Sequence, residues 1–240
     1  MKRIFVFMWM ILIPAFVFAQ ERINDPNAEV REAKDFHAIS VSNAFDVFLS
    51  QGNEEAVAVS ASEKKYMENI KVEVKEGVLK ISFGKEGRFW NGWNGNKMRL
   101  KAYISFKNLD KLRASGACDL KIQGTVHADK LDIDLSGACD LKGALDIKNL
   151  TVSLSGASDF EVSGTAVQLS VDVSGASDFK GFEFLTDYCE AKASGASNIK
   201  ITVNKELSAH ASGASDVHYK GTGTIKEIKT SGASNVSKRS

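Results

Sequence analysis

The pentapeptide Ser-Gly-Ala-(Ser/Cys)-(Asp/Asn) occurs seven times, beginning at Ser115, Ser136, Ser155, Ser174, Ser194, Ser212 and Ser231. Successive copies start 21, 19, 19, 20, 18 and 19 residues apart. A period this constant marks a solenoid, in which each repeat is one coil stacked on the last. It fixes the architecture of the C-terminal half before any single residue is interpreted.

Apolar residues alternate strictly between the signatures. Leu131, Ile133 and Leu135 precede the second copy, Leu150, Val152 and Leu154 the third, and Leu169, Val171 and Val173 the fourth. After the signatures, Leu120/Ile122, Phe160/Val162, Ile199/Ile201 and Val217/Tyr219 alternate again. Alternation means strands with one buried face. No helical period intervenes, which excludes a βαβ fold. Each coil therefore holds at least two short strands split by the signature, plus a third segment around a turn. Like positions should stack as a parallel ladder about 4.8 Å apart. The absence of proline after Pro26 suits a chain made mostly of paired strands.

The signature reads as corner chemistry. Gly116, Gly137, Gly156, Gly175, Gly195, Gly213 and Gly232 permit a backbone geometry or close approach that a side chain would block. The alanine is expected to point into the tight corner, and the Ser and Asp/Asn positions to bond local backbone. One column invites a second interpretation. Asp119, Asp140, Asp159 and Asp178 follow one another before Asn198 appears. Adjacent carboxylates at coil spacing repel by roughly 1 kcal/mol in water and by more at lower dielectric. Donated hydrogen bonds, solvent or a bound cation must offset this. Calcium is the candidate ion, with those four aspartates as ligands, although the known nine-residue calcium-binding roll is richer in glycine. No other cofactor is implied.

Residues 1–19 read as a secretory signal peptide. Lys2 and Arg3 precede the apolar run from Ile4 to Phe18, and Val17-Phe18-Ala19 supplies small residues for cleavage before Gln20. The run is short for a membrane anchor, no cysteine sits at the cleavage site for lipidation, and no later stretch is apolar enough to span a bilayer. Removing Lys2 and Arg3 lowers the basic count from 31 to 29 against 30 acids. That balance argues against nucleic-acid binding and electrostatic membrane docking. The expected location is the periplasm, outer surface or extracellular space.

Residues 20–32 read as an N-terminal extension, 33–110 as irregular early coils forming a cap, and 111–240 as the regular repeats. Ser42-Asn43-Ala44-Phe45-Asp46 is a worn signature, and Glu63 to Glu68 reads as a short helical turn. The segment from Gly87 to Lys97 gathers Arg88, Phe89, Trp90 and Trp93 among Gly and Asn. Aromatic faces beside amides and an arginine suit recognition of carbohydrate or protein, whereas a bland hairpin would fold them back on the cap. The other end, from Val236 to Ser240, carries charges without an evident cap, so it is a candidate self-association surface.

The worn signature with Asp46-Val47-Phe48-Leu49-Ser50-Gln51-Gly52, the stretch Gly77-Val78-Leu79-Lys80-Ile81, and the repeated Ser-Gly-Ala signatures resemble the putative auto-transporter adhesin, head GIN domain family. The resemblance covers roughly residues 33–236. It implies a single-stranded, right-handed parallel β-helix with three faces per coil, and an adhesive role without catalytic residues to carry over.

The first functional expectation is thus an exported, non-catalytic binding or adhesion module. A polysaccharide-active enzyme is the second, with Asp140 and Asp159, or Asp132 and Asp134, as acid and base. Its weakness is a uniform column, because catalysis needs two acids in different environments. A self-associating structural protein of the envelope is the third. His37, His127, His210 and His218 share no metal-ligand spacing. Cys118 and Cys139 occupy the same signature position one coil apart, as either a disulfide or a pair of small buried thiols; Cys189 stands elsewhere.

Overall fold

The structure is a computed structural model describing residues 25–84 and 98–239. The expected signal peptide, residues 1–19, and the Arg88–Trp93 cluster lie outside the described residues.

Seven strands and one helical turn precede the regular repeats: β1 (Glu29–Arg31), β2 (Ala38–Asn43), β3 (Asp46–Gln51), β4 (Ala56–Ala61), α1 (Lys64–Met67), β5 (Ile70–Lys75), β6 (Val78–Phe83) and β7 (Leu100–Phe106). The repeats comprise β8 (Lys111–Gly116), β9 (Asp119–Gly137), β10 (Asp140–Leu154), β11 (Asp159–Val173), β12 (Asp178–Ala193), β13 (Asn198–Ala211), β14 (Asp216–Lys220), β15 (Thr224–Thr230) and β16 (Asn235–Lys238). Together they form a parallel β-solenoid of about 7 turns with about 19 residues per turn.

In the regular coils a strand runs from one signature to the next. Coil β11 shows why it closes. Phe160 and Val162 face inward, alternation breaks across 163–165, Ala166 faces inward alone, and the pattern slips again at 167–168. Leu169, Val171 and Val173 then line a third side. Two slips and the signature make three corners. Each inward residue stacks on its counterpart: Leu120, Leu141, Phe160, Phe179, Ile199, Val217 and Val236 form one such column. Phe160 and Phe179 meet edge to face, with centroids 5.7 Å apart.

The two ends differ. At the first end, β2 and β3 form a coil in register with β8 and β9. The layer above it is still parallel, with β6 on β2 and β7 on β3. Beyond that the pairing turns antiparallel: β5 on β6, β4 on β7, and β1 on β4. The switch ends the stacking and leaves alternating Lys71, Glu73 and Lys75 exposed on β5, which blunts that edge. At the second end, β15 lies on β13 and β16 on β14, both parallel, and no described strand follows. Ile225 is 48% exposed and Ile228 39%, although the residues they stack on, Leu207 and Ala209, are fully buried.

Candidate functional site

The signature forms one edge of the solenoid. Gly156 has φ +80, and a β-carbon there would lie 2.4 Å from the Gly137 carbonyl oxygen. Neighbouring coils touch backbone to backbone at this point. The Ala157 N–H donates to that same Gly137 oxygen at 2.7 Å, and the Asp159 N–H donates to Cys139 O at 3.0 Å. The alanine is exposed rather than turned into the corner. What fills the corner is the fourth position: Cys118, Cys139, Ser158, Ser177, Ser197 and Ser215 are all fully buried. The Ser158 hydroxyl donates to Ser155 O at 3.0 Å, while the Ser158 N–H donates to the Ser177 hydroxyl at 3.0 Å. The serines thus join coils from inside.

Cys118 and Cys139 take this fourth position as free thiols. The Cys139 thiol donates to Ser136 O at 3.2 Å, as Ser158 does to Ser155. Its hydrogen bond with Cys139 and its burial push the Cys118 pKa upward. Burial first, and then the neighbouring Glu190 charge, do the same for Cys189.

The aspartates stack as the period predicts, and the column is longer than its unbroken run. Asp46 stands on Asp119, followed by Asp140, Asp159, Asp178, Asn198, Asp216 and Asn235. Lys101 tops it above Asp46. The Asp159 side chain is 41% exposed and ion-paired to Lys180, and Asn198 donates to Asp178 at 2.9 Å. Water and neighbouring side chains therefore share the work of offsetting repulsion. Among the described residues, no group of three or more His, Cys, Asp or Glu side chains converges in a geometry suited to a metal.

Two residues further along the same face runs a second outward column: Phe48, Lys121, Lys142, Glu161, Lys180, Lys200 and His218. These lysines edge a groove of about 470 Å³ whose floor includes Gly143 and Ala144. A shallower groove of about 720 Å³ crosses the short second side. There Asp146 accepts from Thr165 at 2.7 Å and meets His127 at 3.2 Å, and both contacts hold its carboxyl below the usual carboxylate range. The remaining histidines pair locally, His37 with Asp110, His210 with Glu227 and His218 with Ser237. Asp134 is held by Arg113 at 2.9 Å and Asp132 by Lys130 at 3.3 Å. Lysine stands two residues after Asp119, Asp140, Asp178 and Asn198, a spacing that becomes a column only once the register aligns the coils.

The aromatic segment can be located by its flanks. It connects β6 to β7, which lie in register on β2 and β3. Where the coil below turns through Asn43-Ala44-Phe45, this layer carries residues 84–99. β6 thus ends and β7 begins at the signature edge. Within the β3–β7 pair Phe48 and Tyr103 stack at 5.1 Å, and the Tyr103 hydroxyl donates to Asp25 at 2.9 Å.

The sequence matches the family described as "Putative auto-transporter adhesin, head GIN domain" over residues 35–223. The chain belongs to this family. Solved structures share the fold of this head GIN protein. A putative adhesin from Bacteroides fragilis is 22% identical with a TM-score of 0.77, covering 88% of this chain and 96% of its own. A putative lipid binding protein from Parabacteroides distasonis is 22% identical with a TM-score of 0.66, covering 90% and 98%. A putative adhesin from Parabacteroides merdae is 14% identical with a TM-score of 0.64, covering 89% and 95%. At these identities the likeness concerns the fold. No protein of curated function matches the sequence. Among the described residues, no helix is long and apolar enough to cross a membrane.

Proposed function

We propose that this head GIN protein is an exported, non-catalytic adhesion module that engages its ligand at the irregular first end, through Arg88, Phe89, Trp90 and Trp93. One observation carries this reading. The parallel stack repeats coil by coil, and the sequence departs from that repeat between the end of β6 and the start of β7, both of which lie at the signature edge. Function tends to reside where a scaffold's loops depart from its regular frame. The stacked Phe48 and Tyr103 extend an aromatic surface along the same end. The descriptions of two structural relatives as adhesins agree with a binding role, and that of a third as lipid-binding widens the ligand classes to test.

Polysaccharide cleavage has no comparable support. Asp140 and Asp159 belong to one repeating column, and Asp132 and Asp134 are each tied to a basic side chain.

The test is an array of glycans, matrix proteins and lipid vesicles probed with and without calcium. The Trp90→Ala/Trp93→Ala variant is expected to lose binding while retaining the wild-type melting temperature. Undiminished binding by that variant would overturn the site. Calcium belongs to the protein only if chelation lowers binding or the melting temperature; Asp119, Asp140, Asp159 and Asp178 would then be its ligands.

A further inference from the structure

Among the described residues, the second end of the solenoid is a parallel edge that no further strand covers, with its interior partly open. Ile225 and Ile228 continue inward columns whose preceding members, Leu207 and Ala209, are 1% and 0% exposed. Edge strands in soluble proteins are usually blunted by an inward-pointing charge, a proline or a covering element. The first end has its antiparallel strands and a charged edge. In β15 the charges Lys226, Glu227 and Lys229 do not replace the inward isoleucines.

The order of residues in β15 indicates what fits there. The strand reads Thr-Ile-Lys-Glu-Ile-Lys-Thr. The register against β13 slips between Ile225 and Glu227, so Lys226 is the extra residue of a bulge. Lys226 reaches Glu206 at 2.9 Å, while Glu227 reaches Lys229 at 2.6 Å and His210 at 3.0 Å, so both stand on the outer surface. Two copies of β15 laid antiparallel about the Lys226–Glu227 centre set Ile225 against Ile228 of the second copy. The same register sets Lys226 against Glu227 of the second copy, and each contact occurs twice. Apolar then meets apolar on the inner side and opposite charges meet on the outer side. The strand is its own complement, as a closed two-fold interface requires.

We propose that the protein forms a tail-to-tail dimer through β15, in which a second copy covers Ile225 and Ile228 and extends the sheet across the two solenoids. This goes beyond the binding role proposed above and does not depend on it. It leaves the first ends of the two solenoids, where β6 and β7 lie, at the far ends of one rod, so a ligand site at that end would be presented twice.

Sedimentation equilibrium of the purified protein over a range of concentrations tests this. The expected species is a dimer. Ile228→Lys should abolish it. Lys226→Glu alone, or Glu227→Lys alone, opposes like charges and should weaken dimerisation by roughly tenfold or more. The double exchange Lys226→Glu/Glu227→Lys restores opposite charges and should recover the dimer, which a misfolded chain could not do. A monomer at every concentration overturns the proposal. So does a dimer indifferent to these substitutions, or one that the double exchange fails to restore. An open-ended polymer would mean head-to-tail contact and would also overturn it.

Discussion

At the signature, backbone geometry outweighs side-chain chemistry. Gly156 holds φ +80 with its coil pressed on the Gly137 carbonyl, so even a methyl group has no room. Gly156→Ala should cost at least about 2 kcal/mol, from an unfavourable φ and a clash with backbone. Gly124→Ala is the control: φ is +75 there, but no heavy atom lies within 4 Å of the added carbon. Its cost should stay near about 1 kcal/mol. Urea denaturation of both variants checks this, and equal losses would mean that coil contact at Gly156 is unimportant. Asn43 is the informative exception. It holds φ +84 in register with Gly116, and its side-chain oxygen accepts from the Phe83 N–H at 2.9 Å. Asparagine tolerates this conformation, and the layer above has no signature glycine in register there. The first copy carries asparagine where its side chain hydrogen-bonds the layer above in place of a glycine-to-carbonyl approach. The fourth position carries a separate expectation. Thiol titration of denatured, unreduced protein should find three thiols; one would indicate a Cys118–Cys139 bridge.

At the scale of a coil, stability divides between an inner column and outer pairs. Phe160 is completely buried between Leu141 and Phe179, so Phe160→Ala should cost about 3–5 kcal/mol, read from the denaturation midpoint. The outer pairs set the response to acid. Thr165 and His127 hold Asp146, and Lys229 and His210 hold Glu227, below the ordinary carboxylate range. Their stabilisation is complete above that range and is lost as protonation proceeds below it. His218 is depressed below 6.5 by burial and then by Arg239. The unfolded chain therefore takes up that proton first, and stability begins to fall as pH drops through 6.5. A melting series from pH 8 to pH 3 should show a shallow decline below 6.5 and a steeper one in the carboxylate range. His218→Gln should remove the first stage; if it persists unchanged, His218 is not its source. Much of this level was legible in advance. Alternation identified inward residues flanking the signatures, such as Leu131, Ile133 and Leu135 in β9, Phe160 and Val162 in β11 and Ile199 and Ile201 in β13, and the helical turn appears at Lys64–Met67 as expected from residues 63–68. The alanine's exposure ran against the expectation although the phase was there to read: Leu154, Ser158 and Phe160 are buried an even number of residues apart, which leaves Ala157 on the outward side. The lysine groove was not legible, since it exists only once the register aligns residues about 20 apart in the chain.

For the molecule as a whole, the period announced the stack, while the ends escaped it. Antiparallel closure by β4, β5 and β1 depends on pairings between short segments of similar alternation, which no repeat specifies. The interior of the stack, in contrast, should behave as interchangeable layers, since each coil contacts only its neighbours. Residues 155–173 are one such layer. They begin at a signature serine and end just before the next one at Ser174. Excising them would bring β10 directly onto β12, placing Leu141 on Phe179, Asp140 on Asp178 and Leu150 on Cys189 by the registers both now share with β11. Every inward residue would still meet an inward residue, and Gly175 would rest on Gly137 as Gly156 does now. The shortened chain should therefore fold, keep a β-sheet circular dichroism spectrum and melt cooperatively. Its midpoint should be lower because one nearest-neighbour interface is gone. Removing 155–164 instead cuts a coil in mid-face, deletes Phe160 and Val162, and leaves the third side without its first. That chain should lose cooperative melting. If the two deletions behaved alike, the coils would not be the independent layers that the period implies.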